Sequence, residues 1–401
     1  MRSKITRSTV YKLFAILCVV FLGIFGMRYV LKAAFFASRS TGIDTVTPMA
    51  VISSLLEVHI DFNNGVGTTG AMKKFAESID RAKYSVEIAV FSLRSDTIRR
   101  ALYKANARGV KVTLILDSSR KDQHDYVLAE MPSGIERIDS GVYDAEDLSY
   151  SSFMHHKYMI VDRGYPGAEL TSGSLNFTDV GEKYNQSYFF TTSDSALVTI
   201  FGNEFDLLKS GVTGLGKLSK REYDPWTANL SYSNGFFEVW MSPGFSNRSV
   251  KYRILELIDS ATSSLDLMVW DFTDESIARK LIAKSEKGIP VRVIAENSNA
   301  TSTYSAIPFL VSSKASRGLT NLEIILDTKS TDLITESVPD GFNPYLHEHT
   351  MIVDGHTVVF GTNNWSLRGF YHNDEDTIVT DNAYLVGEFQ KTFDFFYRGL
   401  R

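Results

Sequence analysis

This sequence predicts an α/β fold made of two copies of one unit, with a membrane helix in front of it. Three observations carry that expectation. Short apolar runs of strand length alternate with longer amphipathic stretches, the pattern of layered strands and helices. Residues 79–115 align without gaps with residues 258–294. Leu13 to Met27 is uninterrupted apolar sequence.

Taken in order, the apolar run resumes after Arg28 and continues to Ala37. A span needs about 20 residues. With Arg28 and Lys32 snorkelling to the interface, residues 1–40 read as a single-pass N-terminal anchor. Phe35-Phe36-Ala37-Ser38 is a poor small-residue cleavage site, which disfavours a removable signal. The basic residues ahead of the run favour a cytoplasmic N-terminus, with the body on the non-cytoplasmic side. Residues 41–56 read as a tether, 57–210 as the first repeat, 211–235 as a Gly/Ser/Lys-rich linker and 236–401 as the second repeat.

Each copy begins with helix, apolar strand, helix and a strand after a Gly stop. Val86 to Phe91 and Val110 to Ile115 match Leu265 to Trp270 and Ile289 to Ile294. Ile98, Leu102 and Ala105 recur at helical spacing, as do Ile277 and Leu281, and read as core stripes. A further strand follows in each half, at 135–138 and 322–326. Residues 299–320 read as a loop or a helix on the sheet. Polar loops at 139–152 and 328–345 are placed to act as lids.

Composition bounds the partners. The 401 residues are 44% hydrophobic and 22% charged, enough for a real core. Residues 1–40 carry only basic charge, so the body is more acidic than the overall −5. An acidic body argues against broad nucleic-acid binding, which wants a basic face. The single cysteine, Cys18, excludes a disulfide within the chain.

The chemistry lies in His155-x-Lys157-x4-Asp162 followed by Gly173-Ser174-x-Asn176. On a strand, residues two apart share a face. His155 and Lys157 therefore project together, an imidazole beside an ammonium, as phosphate-ester chemistry requires. Near the C-terminus the frame returns as His347-x-His349-x4-Asp354 and Gly361-Thr362-x-Asn364. His156 faces away from His155 and reads as structural.

This doubled frame resembles the phospholipase D superfamily, over most of residues 57–400. The first motif matches fully; in the second, His349 stands where the family has Lys. The resemblance implies a duplicated phospholipase D-like fold, two mixed-sheet halves with flanking helices about a pseudo-two-fold, with the site where they meet. It also implies a covalent phosphohistidine mechanism without cofactor or metal. Carried over, His155 and His347 are the catalytic pair. Lys157, Asn176, Asn364, Ser174 and Thr362 hold phosphate, and His349 replaces the second lysine. Asp162 and Asp354 complete the catalytic set in a supporting place. Of the carboxylates that steady the family's histidines, Glu375 is present and Ser187 stands at the other position. Family precedent makes the first-motif His155 the nucleophile, although its own half lacks the carboxylate, and His347, paired with Glu375, the acid/base; the reverse assignment stays open. A protonated His349 beside the phosphodiester would restore the missing charge.

The expected function is a membrane-anchored phosphodiesterase acting on phospholipid head groups by hydrolysis or phosphatidyl transfer. The partners are phospholipid and membrane, and one chain carries both motifs, so a monomer suffices. An endonuclease acting on nucleic acid is the alternative, suggested by Met154-His155-His156-Lys157 and the Gly-Ser-Leu-Asn-Phe-Thr turn. A decayed binding protein is the third. Tyr345, Phe342 and Pro344, aromatic or apolar and just before the second motif, favour lipid.

Overall fold

The computed structural model describes residues 50–51, 55–64, 70–142, 151–219, 227–245, 248–328 and 345–401. The anchor segment, most of the tether and the centres of both motif-preceding loops, with Phe342 and Pro344, lie outside the described residues. Among the described residues no helix is long and apolar enough to cross a membrane. Residues 49–401 form one compact unit.

In chain order the first-half strands are β1 (Ala50–Val51), β2 (His59–Asn64), β3 (Ser85–Val90), β4 (Leu93–Arg94), β5 (Lys111–Asp117), β6 (Ile135–Ser140), β7 (Lys157–Val161), β8 (Glu169–Gly173), β9 (Phe177–Thr178) and β10 (Gln186–Thr192). Those of the second are β11 (Thr227–Tyr232), β12 (Gly235–Ser242), β13 (Leu265–Val269), β14 (Val291–Glu296), β15 (Leu322–Asp327), β16 (His349–Val353), β17 (Thr357–Gly361) and β18 (Glu375–Thr380). The first sheet runs β2-β10-β8-β7-β3-β5-β6, and the second β1-β11-β12-β18-β17-β16-β13-β14-β15. Both are mixed: β3/β5/β6 and β13/β14/β15 pair in parallel, while β7 and β16 pair antiparallel to β3 and β13. The duplication and the mixed sheets are therefore present.

The layering explains the apolar runs. Helices Ala71–Arg81 and Asp96–Ala107 cover the outer face of the first sheet, packing Phe75, Ile98 and Leu102 on Ile88 and Met159. Helices Val250–Ser260, Glu275–Glu286 and Ile307–Arg317 do the same for the second, around Leu267, Val293 and Met351. Between the sheets lie helices Ser195–Lys209 and Ala383–Leu400, whose Phe201, Phe205, Phe389 and Phe393 join Tyr158, Tyr188 and Phe360 in one core shared by both halves. Both faces of β7 and β16 are thus buried, as central strands of a covered sheet must be.

Two boundaries differ from expectation. Residues 227–232, inside the expected linker, form β11, because Leu230 and Tyr232 alternate with polar residues and turn inward. Within the expected tether, Ala50–Val51 pairs with it in parallel. Residues 307–317 are a helix, burying Ile307 and Leu310.

Candidate active site

The two halves are strapped together at their motifs. The His155 amide donates to the Asp374 carbonyl at 2.9 Å, and the Asp374 amide to the Phe153 carbonyl at 2.8 Å. The other side mirrors this: the His347 amide donates to the Gln186 carbonyl at 2.7 Å, and the Gln186 amide to the Tyr345 carbonyl at 3.1 Å. Each histidine is therefore held against the last strand of the opposite half. Within each half, the motif glycine lets the turn lie close against the neighbouring strand. A Cβ on Gly173 would lie 2.3 Å from the Tyr188 carbonyl oxygen, and one on Gly361 2.2 Å from that of Asp376.

This strapping corrects one pairing. Glu375 follows Asp374, so its carboxylate crosses to the first-half histidine: His155 Nδ1 donates to Glu375 Oε2 at 2.8 Å. Glu375 is paired with His155, not with His347. Ser187 takes the matching place beside His347, and its buried hydroxyl has no hydrogen-bond partner. The other Glu375 oxygen accepts from Asn373 Nδ2 at 3.0 Å, which keeps the carboxylate aimed. Despite full burial, the His155 ring bonded to it and the Lys157 ammonium hold the Glu375 carboxyl below its usual value.

Lys157 Nζ lies 3.3 Å from both ring nitrogens of His155 and donates to the His155 carbonyl at 2.7 Å. Burial lowers its pKa to about 8, against the pull of Glu375. Burial and Lys157 also lower His155, although Glu375 raises it. His347 is driven well below an ordinary histidine by burial, then by Lys157 and His155. The second-motif His349 is lowered likewise by burial and by the other three groups, and neither of its ring nitrogens has a hydrogen-bond partner. In the free protein it is neutral, so the expected charge replacement does not pre-exist. The site as built holds Lys157⁺, Glu375⁻ and three neutral imidazoles.

Asn176 and Asn364 each keep a buried amide oxygen without partner. The hydroxyls of Ser174 and Thr362, expected to hold phosphate, each take a backbone donor from the neighbouring strand. The Ser174 hydroxyl accepts from the Tyr188 amide at 3.1 Å, and that of Thr362 from the Asp376 amide at 3.0 Å. They tie the turn to the neighbouring strand, because a hydroxyl there caps an otherwise unpaired backbone group. Asp162 and Asp354, counted with the catalytic set, stand at the far ends of their strands. Asp162 accepts from the amides of Lys83, Tyr84 and Ser85, and Asp354 from those of Thr262, Ser263 and Ser264. Both have positive φ, 52° and 55°, a turn that aspartate tolerates. They staple the loop ahead of β3 and β13.

Sequence reasoning named Tyr345 but missed the rest of the aromatic rim and a buried ionic chain. Phe91 lies edge-on to His155 at 4.8 Å, and Trp270, its repeat partner, edge-on to His347 at 5.6 Å. Tyr345 packs on Trp270 at 4.1 Å. Behind the site, His156 bridges Asp376 at 2.9 Å and Glu204 at 3.1 Å, and those carboxylates raise it to about 9. Lys217 pairs with Glu204 and, at 2.6 Å, with Asp374. The second-half position matching His156 is Glu348, whose carboxyl burial pushes well above its usual value. Among the described residues, no cluster of three His, Cys, Asp or Glu side chains has metal-binding geometry.

The family described as cardiolipin synthase, phospholipase D-like domain, matches residues 75–209 and 254–396, most of the chain and both motif-bearing halves. The chain belongs to the phospholipase D superfamily. A mitochondrial cardiolipin hydrolase of Xenopus tropicalis is 30% identical over 158 residues, 39% of this chain and 65% of that protein. A phospholipase D of Rickettsia felis is 31% identical over 128 residues, 32% of this chain and 58% of that protein. The chain thus spans less than two thirds of the length of these relatives. The solved phosphatidylserine synthase of Haemophilus influenzae shares the fold, with a TM-score of 0.58, 13% identity, and 84% and 85% of the two chains covered.

Proposed function

We propose that this superfamily member is a membrane-anchored phosphodiesterase that cleaves or transfers phospholipid head groups through a phosphohistidine on His155. The observation that carries the reading is the buried His155–Glu375 pair beside Lys157, facing a second histidine across the join between halves. With Nδ1–H committed to Glu375, Nε2 keeps its lone pair for attack on phosphorus. The N–P bond forms as the P–O bond to the leaving group breaks, and Glu375 balances the positive charge that develops on the imidazole. Lys157 and the amides of Asn176 and Asn364 take the non-bridging oxygens.

His347 must supply the leaving-group proton. A phosphodiester monoanion entering this nearly neutral site raises the proton affinity of the imidazoles beside it. Substrate binding therefore brings a proton onto the His347/His349 pair, whose rings lie 5.4 Å apart. His347 gives it to the leaving oxygen, then takes a proton from water or an acceptor alcohol to release the phosphoryl group. The family's lipid-named relatives, the acidic body and the aromatic rim support lipid over nucleic acid. The apolar segment at residues 1–40 would keep the body at a bilayer, on its non-cytoplasmic side.

The test uses the full chain in mild detergent and EDTA, with phosphatidylglycerol and phosphatidylcholine vesicles plus ethanol. Phosphatidic acid or phosphatidylethanol, absent with His155→Ala, is the expected result. No lipid product, with cleavage of single-stranded DNA instead, would replace lipid by nucleic acid; a blank on both would leave a binding protein.

A further inference from the structure

The second motif lacks its lysine, and a free cation stands on the opposite wall. Arg120 is half-buried, and its guanidinium carbon lies 4.8 Å from the centre of the Phe91 ring. Phe91 is the ring set edge-on to His155, and Lys157 Nζ sits 5.8 Å from its centre. Among the described residues Arg120 makes no ion pair, and its Nε is buried without a hydrogen-bond partner. The nearby carboxylate of Asp117 is occupied by the amides of Ser119 and Met154 and the Ser119 hydroxyl. The Arg120 charge also reaches the phenol of Tyr345, which leads into the second motif 5.6 Å from His347. It therefore stands between the aromatic flanks of both histidines.

The repeat shows that this cation is not part of the duplicated scaffold. Asp117 and Glu296 are matching caps of the short helical turns after β5 and β14. Three residues on, Arg120 faces Asn299 in the same alignment. The first half carries Arg120 where the second has Asn299, and the second has His349 where the first has Lys157.

We propose that Arg120 is the second phosphate-binding cation of the site, contacting the non-bridging oxygens of the bound phosphate in place of the lysine absent at position 349. This rests on the phosphoryl-transfer reading but not on lipid as the substrate. An unpaired guanidinium offers a planar donor pair to a phosphate, and its side chain is long enough to swing from the Phe91 face.

The test is calorimetric titration with tungstate, a phosphate-shaped anion, on the full chain. Arg120→Gln is expected to weaken binding about tenfold, the scale of one charge-assisted contact, and Arg120→Lys to recover most of it. In a His349→Lys background, where the family's cation is restored, Arg120→Gln should cost less than about threefold. Arg120→Gln within twofold of the parent, or an equal loss in both backgrounds, overturns the assignment. If Arg120→Gln lowers the melting temperature, Arg120→Met, which keeps an apolar stack on Phe91, carries the same comparison. Lipid turnover is measured separately. Arg120-dependent tungstate binding without lipid turnover would retain this proposal while removing lipid as the substrate.

Discussion

Replacing Glu375 by Gln isolates the charge that crosses between the halves. The carboxylate oxygen lies 2.8 Å from His155 Nδ1, and both side chains are buried. At an effective dielectric of ~20, two unit charges at that distance attract by about 6 kcal/mol. The imidazole acquires only part of a charge in the transition state, so roughly half of that, about 3 kcal/mol, is lost from catalysis. That is a fall of about a hundredfold in kcat. Geometry adds to the loss. Glu375 accepts from His155 on one oxygen and from Asn373 on the other, whereas an amide has one accepting oxygen and must leave one donor facing an NH₂. The assay is initial rate against lipid in mixed micelles, alongside a thermal melt. Because Glu375 raises the proton affinity of His155, the acid limb of the rate profile should also move to lower pH. An unchanged melt with kcat within fivefold of the parent would refute the cross-half partnership, as would a loss confined to KM.

Three further outcomes follow from the charges and their partners. The rate should fall as pH rises through about 8, because Lys157 loses its proton there and the histidines lose the one gained on binding; a flat profile from pH 5 to 9 would contradict this. Asp354→Ala should lower stability by about 2 kcal/mol at pH 7, since three loop amides lose their acceptor, with kcat unchanged in the folded enzyme. Those amides hold the Asp354 carboxyl well below its usual value, so its contribution is present above the ordinary pKa of about 4 and lost as pH falls further. The gap between mutant and parent in denaturant melts should therefore narrow in acid. Lys217→Met should cost about 3–5 kcal/mol, because it leaves Asp374 buried without its cation and Glu204 with His156 alone; a melt within a degree or two of the parent would show that the Lys217 pairing is dispensable.

Local pattern made the two sheets legible, and long-range docking made the site only partly so. Val86 to Phe91 and Leu265 to Trp270 declare buried strands by composition alone, and the doubled motif identifies His155 and His347 without any structure. The partner of each histidine was hidden. Glu375 sits 220 residues from His155, and the contact exists only because each motif is hydrogen-bonded to the last strand of the other half. Reading each half separately assigns the carboxylate to the histidine of its own half, which is the natural error for a duplicated fold. Ser174 and Thr362 show a different limit. A hydroxyl two residues from a proposed phosphate-binding amide can face ligand or backbone, and here each accepts an amide of the neighbouring strand. β11 was obscured by the small polar residues around it, although Leu230 and Tyr232 carry the period of two.

Two departures from the duplication, His349 and Ser187, make the two histidines unequal. A symmetric pair of motifs would give each imidazole a lysine and a crossing carboxylate, and nothing in the protein would decide which attacks. Here His155 has both, whereas His347 has Ser187 and a neutral His349. A nucleophile benefits from a carboxylate because the bonded intermediate is a charged phosphoimidazolium. An acid that gains its proton only with the substrate benefits from having no carboxylate to hold that proton back. The two departures from the family pattern therefore act in the same direction. In the proposed mechanism each lowers the tendency of the second half to hold charge before substrate arrives, and together they favour attack by the first half and proton transfer by the second.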